Sequence, residues 1–301
     1  RGRMRTVAGV AFDRVRSAGT RSMALLQRGL VYLGAAFAAL VLVGIVGYIC
    51  VMGIPELKPS LFEWEYNSNS VSLMPALVNT LLMALLALLI AVPVGVGSAI
   101  YLVEYAPRAS RFVKLVRITA ETLQGIPSII YGLFGALFFV GVCKMGLSLI
   151  AGAFTLAIMV LPVIMRTTEE ALLAVPDAYR QGGYGLGAGR VRTVFRCVLP
   201  SAMPGILGGV ILALGRCVGE VAALIFTAGS IAAIPNFVTE GPAAVLDSAR
   251  TLAVHMYVLS SEGLHIGETY ATAVVLLVLV LLINLATTAT ARRMNKGVQS
   301  D

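Results

Sequence analysis

The sequence predicts an all-α membrane protein with six transmembrane helices. Of its 301 residues, 58% are apolar and only 13% are charged, and the mean hydropathy is +0.89. A soluble domain is about 45–50% apolar and about 25% charged, so this chain has too few polar residues to cover a water-exposed surface of its size. Its apolar residues form six stretches, and a helix needs about 20 such residues to cross a bilayer. A cytosolic globular enzyme is therefore excluded.

Each predicted span is one of these apolar stretches. The first follows a basic tail, as a secretion signal does, but its apolar run is too long and no small-residue cleavage site follows it. The second would extend about 45 Å at 1.5 Å per residue, and Pro93 near its middle predicts a kink or a tilt rather than two crossings. In chain order, the six spans are Leu30–Met52, Met74–Val103, Ile126–Cys143, Leu149–Met165, Pro204–Ala228 and Tyr270–Thr290.

The distribution of basic residues predicts how the spans are oriented. The net charge is +8, and 19 of the 23 Lys and Arg lie in the two terminal tails and in the loops after spans two and four. Because Lys and Arg are retained on the cytoplasmic side, both termini and those two loops are predicted to be cytoplasmic, which explains the positive charge without a nucleic-acid partner. The predicted organisation is an N-terminal tail 1–29, a six-helix domain 30–296 with outer segments 53–72 and 229–269, and a C-terminal tail 297–301.

The second outer segment contains a pattern typical of a helix. Apolar residues recur at helical spacing between Ala243 and Ser260, which predicts an amphipathic outer helix. His255 and His265 lie in this part of the chain, but no H-E-x-x-H or similar ligand spacing accompanies them, so no metal site is expected.

Catalytic motifs are missing from the sequence. The four cysteines form no C-x-x-C pair. The run most similar to a P-loop has Leu147 where that motif requires lysine. We therefore expect neither a catalytic residue nor a cofactor in this chain, and in any ATP-driven process another subunit must hydrolyse the ATP. An intramembrane protease is also disfavoured, since the predicted spans contain no Asp or His.

Two charged residues fall within predicted span five. Arg216 lies 12 residues past Pro204, or about 18 Å along a helix, where an unpaired charge costs about 2.5–3.5 kcal/mol. Glu220 follows at i+4 and is predicted to share the helix face of Arg216. One interpretation is an ion pair that only fixes helix packing. The other is a binding site, because the planar guanidinium suits a tetrahedral oxyanion.

Uncharged polar residues offer further candidates for such a path. Ser128 follows Pro127 at the predicted start of span three, where free backbone N–H groups can hold an anion in transit. A plain helix start at the membrane boundary explains the same residues. Asn79 and Thr80 in span two either line the path or bond to a neighbouring helix, and the sequence leaves both interpretations open.

The predicted cytoplasmic loop 166–203 has the pattern of helix, glycine turn and helix. Asp177 is predicted to cap a short helix that runs to about Tyr184, and a second helix, Val191–Leu199, is predicted to end at Pro200. Glycines at positions 185, 187 and 189 turn the chain between them. Such a loop either docks into a partner's groove or is an ordinary solvated loop.

This loop resembles the cytoplasmic loop of ABC importer permeases, which carries E-A-A-x3-G-x9-I-x-L-P. Gln181-Gly182-Gly183 stands in place of E-A-A, Gly187 is the glycine, and Cys197-x-Leu199-Pro200 completes the pattern. Five further runs occur in the order found in phosphate ABC importer permeases, and the third and fifth look like the PstA branch. The runs are Tyr101–Ala106, Gly125–Ile130, Arg166–Leu172, Gly215–Glu220 and Thr251–Tyr257, within a likeness that covers about Leu30 to Lys296.

The resemblance implies a type I permease bundle in the bacterial cytoplasmic membrane. It implies that this chain conducts phosphate together with a second permease, above two ATPase subunits that bind ATP and Mg²⁺ and below an extracytoplasmic phosphate-binding protein. Apart from the resemblance, Glu220 would either orient the guanidinium of Arg216 or accept the proton of monohydrogen phosphate, which sulfate lacks. The candidate pathway residues in the spans are Arg216, Glu220, Ser128, Asn79 and Thr80, and the candidate ATPase contacts in the loop are Asp177, Tyr179, Gln181, Gly183 and Gly187.

Three alternatives remain for the function. Within the same class, the chain would be the sister PstC-type permease or a permease for sulfate or molybdate. From another class, it would be an ion-coupled secondary transporter, although the internal inverted repeats typical of those proteins are not seen.

Overall fold

The computed structural model describes residues 5–64, 66, 71–107, 110–236 and 239–298. In these ranges all regular elements are helical, which confirms the predicted fold class. Five helices are long and apolar enough to cross a membrane, and the bent pair α3–α4 makes a sixth crossing if it is counted as one span. The helices are α1 (Arg5–Gly53), α2 (Met74–Ile100), α3 (Arg111–Gln124), α4 (Ser128–Gly135), α5 (Leu149–Leu173), α6 (Asp177–Gly185), α7 (Arg190–Thr193), α8 (Leu199–Val218), α9 (Leu252–Glu262) and α10 (Ile266–Val298).

The chain forms two compact units, one up to Met52 and one from Gly53 onward. The first unit is the single helix α1, which contains the predicted first span and begins 25 residues before it, at Arg5. From Gln27 onward, almost all of its side chains are exposed. The first four residues of the predicted N-terminal tail lie outside the described part of the chain.

The centre of the second unit is the pair α2 and α5. Ala84, Ala87 and Ala91 are spaced along one face of α2 and are buried against Leu156 and Val160 of α5. Small side chains let two membrane helices approach closely, which strengthens van der Waals packing where no water is available to drive association. α8 packs against both helices of this pair, and α10 packs against α8 and α9.

α3 and α4 meet at a bend of 102°. Pro127 lacks an N–H group and disfavours helical geometry at Ile126, so the helix that begins at Arg111 cannot continue. Two hydrogen bonds fix the bend: the Tyr131 hydroxyl donates to the carbonyl of Leu123 at 2.6 Å, and Nε2 of Gln124 donates to the carbonyl of Pro162 at 3.0 Å. α4 continues as a π-helix, Ala136–Val142, so helical structure occupies residues 128–142 of the predicted third span, which counts as a crossing only together with α3.

α8 differs from the predicted fifth span at both of its ends. The π-helical segment Val194–Val198 joins α7 to α8, so one helix runs without a break from Arg190 to Val218. The prediction that Pro200 ends a helix is therefore wrong: Pro200 follows the π-helical segment Val194–Val198, and the helix continues past it to Val218. At the other end, α8 stops at Val218 instead of Ala228, and residues 220–228 form hydrogen-bonded turns.

The outer segment is less helical than its apolar spacing predicts. A 3₁₀-helix, Gly241–Leu246, precedes α9, and residues 247–251 between them are not helical. The backbone of this stretch pairs with other segments: Ala249 donates to the carbonyl of Ala228 at 3.0 Å, and Arg250 donates to that of Ile231 at 3.1 Å. The single helix predicted between Ala243 and Ser260 is therefore wrong in its first half, because non-local backbone hydrogen bonds replace the helical ones.

Candidate functional site

One arginine anchors α6 to the rest of the fold. Arg180 lies in the middle of α6, and its Nη2 and Nε atoms are 2.7 and 3.1 Å from Oε1 of Glu104. The same guanidinium donates to the carbonyls of Leu172 and Val175 at 3.0 and 2.8 Å. Leu172 lies in the last turn of α5 and Val175 lies two residues beyond it, where carbonyls lack the N–H of a following helical turn. Arg180 thereby connects α6 with α5 and with the end of α2.

Glu104 is the second partner in this cluster. It belongs to the π-helical continuation of α2, Tyr101–Tyr105, and its side chain is only 5% exposed. A buried carboxylate is costly unless it is paired and hydrogen-bonded, and its hydrogen bond to Arg180 raises the pKa of that guanidinium. Arg190 of α7 also donates a hydrogen bond to the backbone carbonyl of Glu104 and lies over the ring of Tyr105 at 5.3 Å. A cavity of about 510 Å³ borders this cluster.

The five predicted ATPase-contact residues lie on α6 and on the turn that follows it. Asp177 is the first residue of α6, and its Oδ1 atom accepts a hydrogen bond from Nη1 of Arg180 at 3.2 Å. Tyr179 and Gln181 are exposed on α6. Gly187 has a φ of +78°, which confirms that the glycine turn requires the left-handed region.

Gly183 is the position at which α6 contacts α7. It is buried, and a Cβ atom added there would lie 2.8 Å from Cγ2 of Thr193. The neighbouring Gly182 faces open space. The sequence pattern treats the two glycines alike, whereas the structure shows that only Gly183 is needed for close packing.

The end of the loop at α6 presents an apolar tip, of which only Tyr179 was among the predicted ATPase contacts. Leu186, in the turn after α6, is 91% exposed, and Tyr179 and Tyr184 of α6 are also exposed. Grouped apolar side chains on a surface mark contact sites for partners. The signal that could have identified this tip is the apolar residue at the apex of a glycine-rich turn.

Arg216 and Glu220 do not form the predicted pair. The predicted geometry requires a helix that continues through Glu220, but α8 ends at Val218. Oε1 of Glu220 instead accepts a hydrogen bond from the backbone N–H of Ala223 at 3.2 Å, and this bond stabilises the turn. Both side chains are half-buried. Among the residues that the structure describes, no carboxylate lies within 4.0 Å of the Arg216 guanidinium.

The turn that contains Glu220 packs against α4, the helix that begins with Ser128. A Cβ atom added at Gly132 of α4 would lie 2.9 Å from the carbonyl oxygen of Ala222, so the two backbones are in close contact. Ser128 is four residues before Gly132, and Glu220 is two residues before Ala222. The structure therefore brings the turn of Glu220, which follows the helix of Arg216, into contact with α4.

Asn79 and Thr80 lie elsewhere, in the second turn of α2. Nδ2 of Asn79 donates to the carbonyls of Ala233 and Arg250 at 2.9 and 3.3 Å. The Thr80 hydroxyl accepts a hydrogen bond from the backbone N–H of Leu252, the first residue of α9, at 2.7 Å. Both side chains are buried. These bonds join α2 to the outer segment.

Arg250 and His255 form a buried polar cluster that the sequence did not identify as important. Nε of Arg250 donates to the carbonyl of Ser230 at 2.6 Å, and Nη1 lies 3.3 Å from Nδ1 of His255. The guanidinium also lies over the ring of Tyr66 at 5.4 Å. Burial, and then the charge of Arg250, lower the pKa of His255 to about 4. The sequence signal for this buried cluster lies in the run Thr251–Tyr257, which places a histidine in an otherwise apolar helix.

Comparisons with known proteins agree with this architecture. The family model described as "Binding-protein-dependent transport system inner membrane component" matches residues 91–296. A probable ABC transporter permease protein, YqgI of Bacillus subtilis, is 35% identical over 273 residues, which cover 87% of this chain and 92% of that protein. The phosphate transport system permease protein PstA 1 of Mycobacterium tuberculosis H37Rv is 35% identical over 211 residues, 70% of this chain and 67% of that protein. The phosphate transport system permease protein PstC of Xylella fastidiosa 9a5c is 32% identical over 247 residues, 73% and 72% of the two chains.

Two solved structures share the fold. A chain of the MetNI methionine ABC transporter superposes with a TM-score of 0.58 at 22% identity and covers 73% of this chain and 93% of its own. A chain of a bacterial ABC transporter involved in the import of alginate gives a TM-score of 0.63 at 16% identity and covers 91% and 99%. At these identities the likeness concerns the fold of an ABC importer permease.

Proposed function

We propose that this chain, which belongs to the family of binding-protein-dependent transport system inner membrane components, is a PstA-type permease subunit that conducts phosphate. The family establishes a multi-pass inner membrane protein of ABC importers. The choice of phosphate is supported by relatives that are named as phosphate permeases and are 32–35% identical to this chain. The PstC relative keeps the sister permease as the alternative assignment.

The observation that carries the choice of an anion is the environment of Arg216. Its guanidinium is half-buried and has no carboxylate within 4.0 Å in the described part of the chain. A desolvated arginine without an anionic partner is unfavourable, and a tetrahedral oxyanion supplies the charge and the paired acceptors that the guanidinium requires. The region that receives the anion lies beside the start of α4, near Ser128.

Glu220 provides the proposed basis for choosing phosphate over sulfate. The hydrogen bond from Ala223 uses one of its oxygens and holds the carboxylate in place. Its other oxygen can accept the proton of monohydrogen phosphate, whereas sulfate has no proton to donate. Asn79 and Thr80 contribute to the path indirectly, because they fix the outer segment through which the substrate enters.

The remaining parts of the transporter would attach at opposite ends of the second unit. The apolar tip, Leu186 with Tyr179 and Tyr184, would enter a groove of the ATPase dimer, which binds ATP and Mg²⁺. A phosphate-binding protein would deliver its ligand to the outer segment, and a second permease would complete the path within the lipid bilayer. Both termini of the chain would be cytoplasmic, as the distribution of basic residues predicts.

Substitutions of Arg216 test this proposal. Arg216→Ala should abolish the uptake of radiolabelled phosphate, and Arg216→Lys should be strongly impaired because the ammonium group lacks the planar fork. The double variant Arg216→Leu with Glu220→Leu should also be inactive, and Arg192→Lys, on the exposed surface of α7, is the matched control. Expression and co-purification of the ATPase are verified for each variant. Near-normal uptake by the double leucine variant would show that these charges only support the fold.

A further inference from the structure

We propose that the Glu104–Arg180 ion pair makes α6 and the end of α2 move as one body during the transport cycle. The inference rests on the proposed attachment of α6 to the ATPase, and it assigns positioning roles to two residues that do not contact substrate. Glu104 and Arg180 are 76 residues apart in the sequence and are joined by two hydrogen bonds of 2.7 and 3.1 Å.

The burial of this ion pair separates it from ordinary surface pairs. Its side chains are 16% and 5% exposed. The pair formed by Arg166 and Glu170 is 50% and 64% exposed and lies within one helix, four residues apart. Exposed pairs of that kind contribute little, because water and salt screen them. In a buried pair, loss of one partner leaves an uncompensated charge, so the two groups are held together strongly.

Both helices that flank the glycine turn are attached to Glu104. α6 binds its carboxylate through Arg180, and α7 binds its backbone carbonyl through Arg190. The guanidinium of Arg190 also lies over Tyr105, the next residue. A displacement of the turn therefore acts on the end of α2 from two sides. A surface loop attached only through its chain termini would bend without displacing α2.

α2 extends this connection to the opposite side of the molecule. Its first turns carry Asn79 and Thr80, whose hydrogen bonds hold residues 233, 250 and 252 of the outer segment. Glu104 follows Asn79 by 25 residues, which is about 37 Å of helix at 1.5 Å per residue. A motion of α6 is thereby transmitted along one continuous helix to the segment through which substrate would enter.

A distance measurement tests whether the two elements move together. In the assembled transporter, with the native cysteines replaced by alanine, spin labels are attached to Tyr101→Cys at the end of α2 and Ala178→Cys on α6. We expect the same peak distance in the nucleotide-free complex and in the complex trapped with ATP and vanadate. Arg180→Gln should broaden the distribution in both states. A peak distance that differs between the two states of the unsubstituted complex would overturn the inference.

An activity measurement tests the consequence for coupling. Arg180→Gln and Glu104→Gln should each lower substrate-stimulated ATP hydrolysis about tenfold, within the range typical of coupling between sites. The double variant should be no worse than the single ones, because the two residues act as a unit. Basal ATP hydrolysis and co-purification of the ATPase should be retained, which distinguishes lost coupling from misfolding. Arg192→Gln is the control on the same loop.

The outcomes separate this inference from the proposed substrate. Full stimulation in the Glu104→Gln variant would refute the role of the ion pair, whatever the substrate is. If the unsubstituted transporter binds its ATPase but does not respond to phosphate, the assignment of phosphate fails. The distance measurement, which needs no substrate, still decides whether α6 and α2 move together.

Discussion

Two arginines lie at opposite ends of α2 and stabilise different kinds of structure. Arg180 joins regular elements, because it binds the Glu104 carboxylate of one helix and the last carbonyls of another. Arg250 binds the carbonyl of Ser230 and the ring nitrogen of His255, and the described residues place no carboxylate within 4.0 Å of it. The first arrangement fixes one helix to another, whereas the second satisfies the backbone of an irregular segment.

The difference follows from where each backbone finds its hydrogen bonds. Helices satisfy their own N–H and carbonyl groups except at their ends. The non-helical stretches 229–236 and 247–251 must find partners in other segments, because unpaired buried backbone groups are costly. Asn79 and Arg250 provide such partners, and Thr80 provides one for the first N–H group of α9. Substitutions in the outer cluster should therefore affect stability, while those at the Glu104–Arg180 ion pair should affect coupling.

The largest effect on stability is expected from Arg250→Leu. This change removes the donor to the Ser230 carbonyl and the partner of His255 Nδ1, and each buried group left unpaired costs about 1–3 kcal/mol. The thermal unfolding of the purified complex in detergent measures the loss. Arg192→Leu, in which an exposed arginine of α7 is replaced, should leave the transition unchanged. Equal transitions for the two variants would contradict the role assigned to the outer cluster.

The second prediction concerns pH and His255. Its pKa is lowered from 6.5 to about 4 in the folded protein, first by burial and then by Arg250. Between these values the unfolded chain binds a proton that the folded chain does not, so the free energy of unfolding decreases as the pH falls from 6.5 to 4. The decrease is about 3 kcal/mol at most and ends below pH 4.

His255→Asn isolates this contribution from that of other titrating groups. The asparagine carbonyl can still accept from Arg250, but it does not titrate. The unfolding midpoints of the variant should therefore depend less on pH across this window than those of the unsubstituted protein. Identical pH dependence would show that His255 is not the group responsible.

A smaller loss is expected from Thr80→Val. The substitution keeps the shape of the side chain but leaves the N–H of Leu252 without its acceptor, which costs about 1–3 kcal/mol. Thr155→Val is the matched control, since the Thr155 hydroxyl bonds only to the Ala151 carbonyl within its own helix among the described contacts. Amide exchange at the start of α9 should increase in the Thr80 variant only. Similar exchange in both would argue against the link between α2 and α9.

The smallest expected effect is the difference in stability between alanine substitutions at the two neighbouring glycines of α6. Gly182→Ala should stabilise α6 by about 0.5–1 kcal/mol, because alanine favours helix and its Cβ meets open space. Gly183→Ala should give no gain or a loss, since its Cβ would lie 2.8 Å from Thr193. Thermal unfolding of the two variants provides the comparison. A gain of the same size at both positions would contradict the contact between α6 and α7.

Most of the long helices could be predicted from the sequence, because the length of an apolar stretch alone indicates a membrane-spanning helix. Met74 and Leu149 are the first residues of α2 and α5 both in the prediction and in the structure. The end of α8 could not be predicted, because the apolar residues continue to Ala228 while the backbone leaves the helix at Val218. Beyond Val218 the backbone lies against Gly132 of α4, a contact between distant residues that no local sequence pattern indicates.

The candidate site, like the helices, could be predicted from the sequence only in part. The left-handed Gly187 follows from the glycine turn, since few other residues tolerate positive φ. The Glu104–Arg180 ion pair could not be inferred, because nothing local relates residues that are 76 positions apart. The sequence identifies Arg216 as a charge in an apolar span. The predicted ion pair with Glu220 is wrong, because Glu220 lies beyond the end of α8.

Phosphate uptake by the reconstituted transporter is the decisive measurement of whether this chain conducts phosphate. Proteoliposomes that contain this chain, its partner permease and the ATPase are loaded with ATP, and binding protein with radiolabelled phosphate is added outside. We expect ATP-dependent accumulation that excess unlabelled phosphate suppresses and excess sulfate does not. Accumulation that sulfate suppresses equally, or none at all in a complex that hydrolyses ATP, would contradict the assignment of this chain as a phosphate permease.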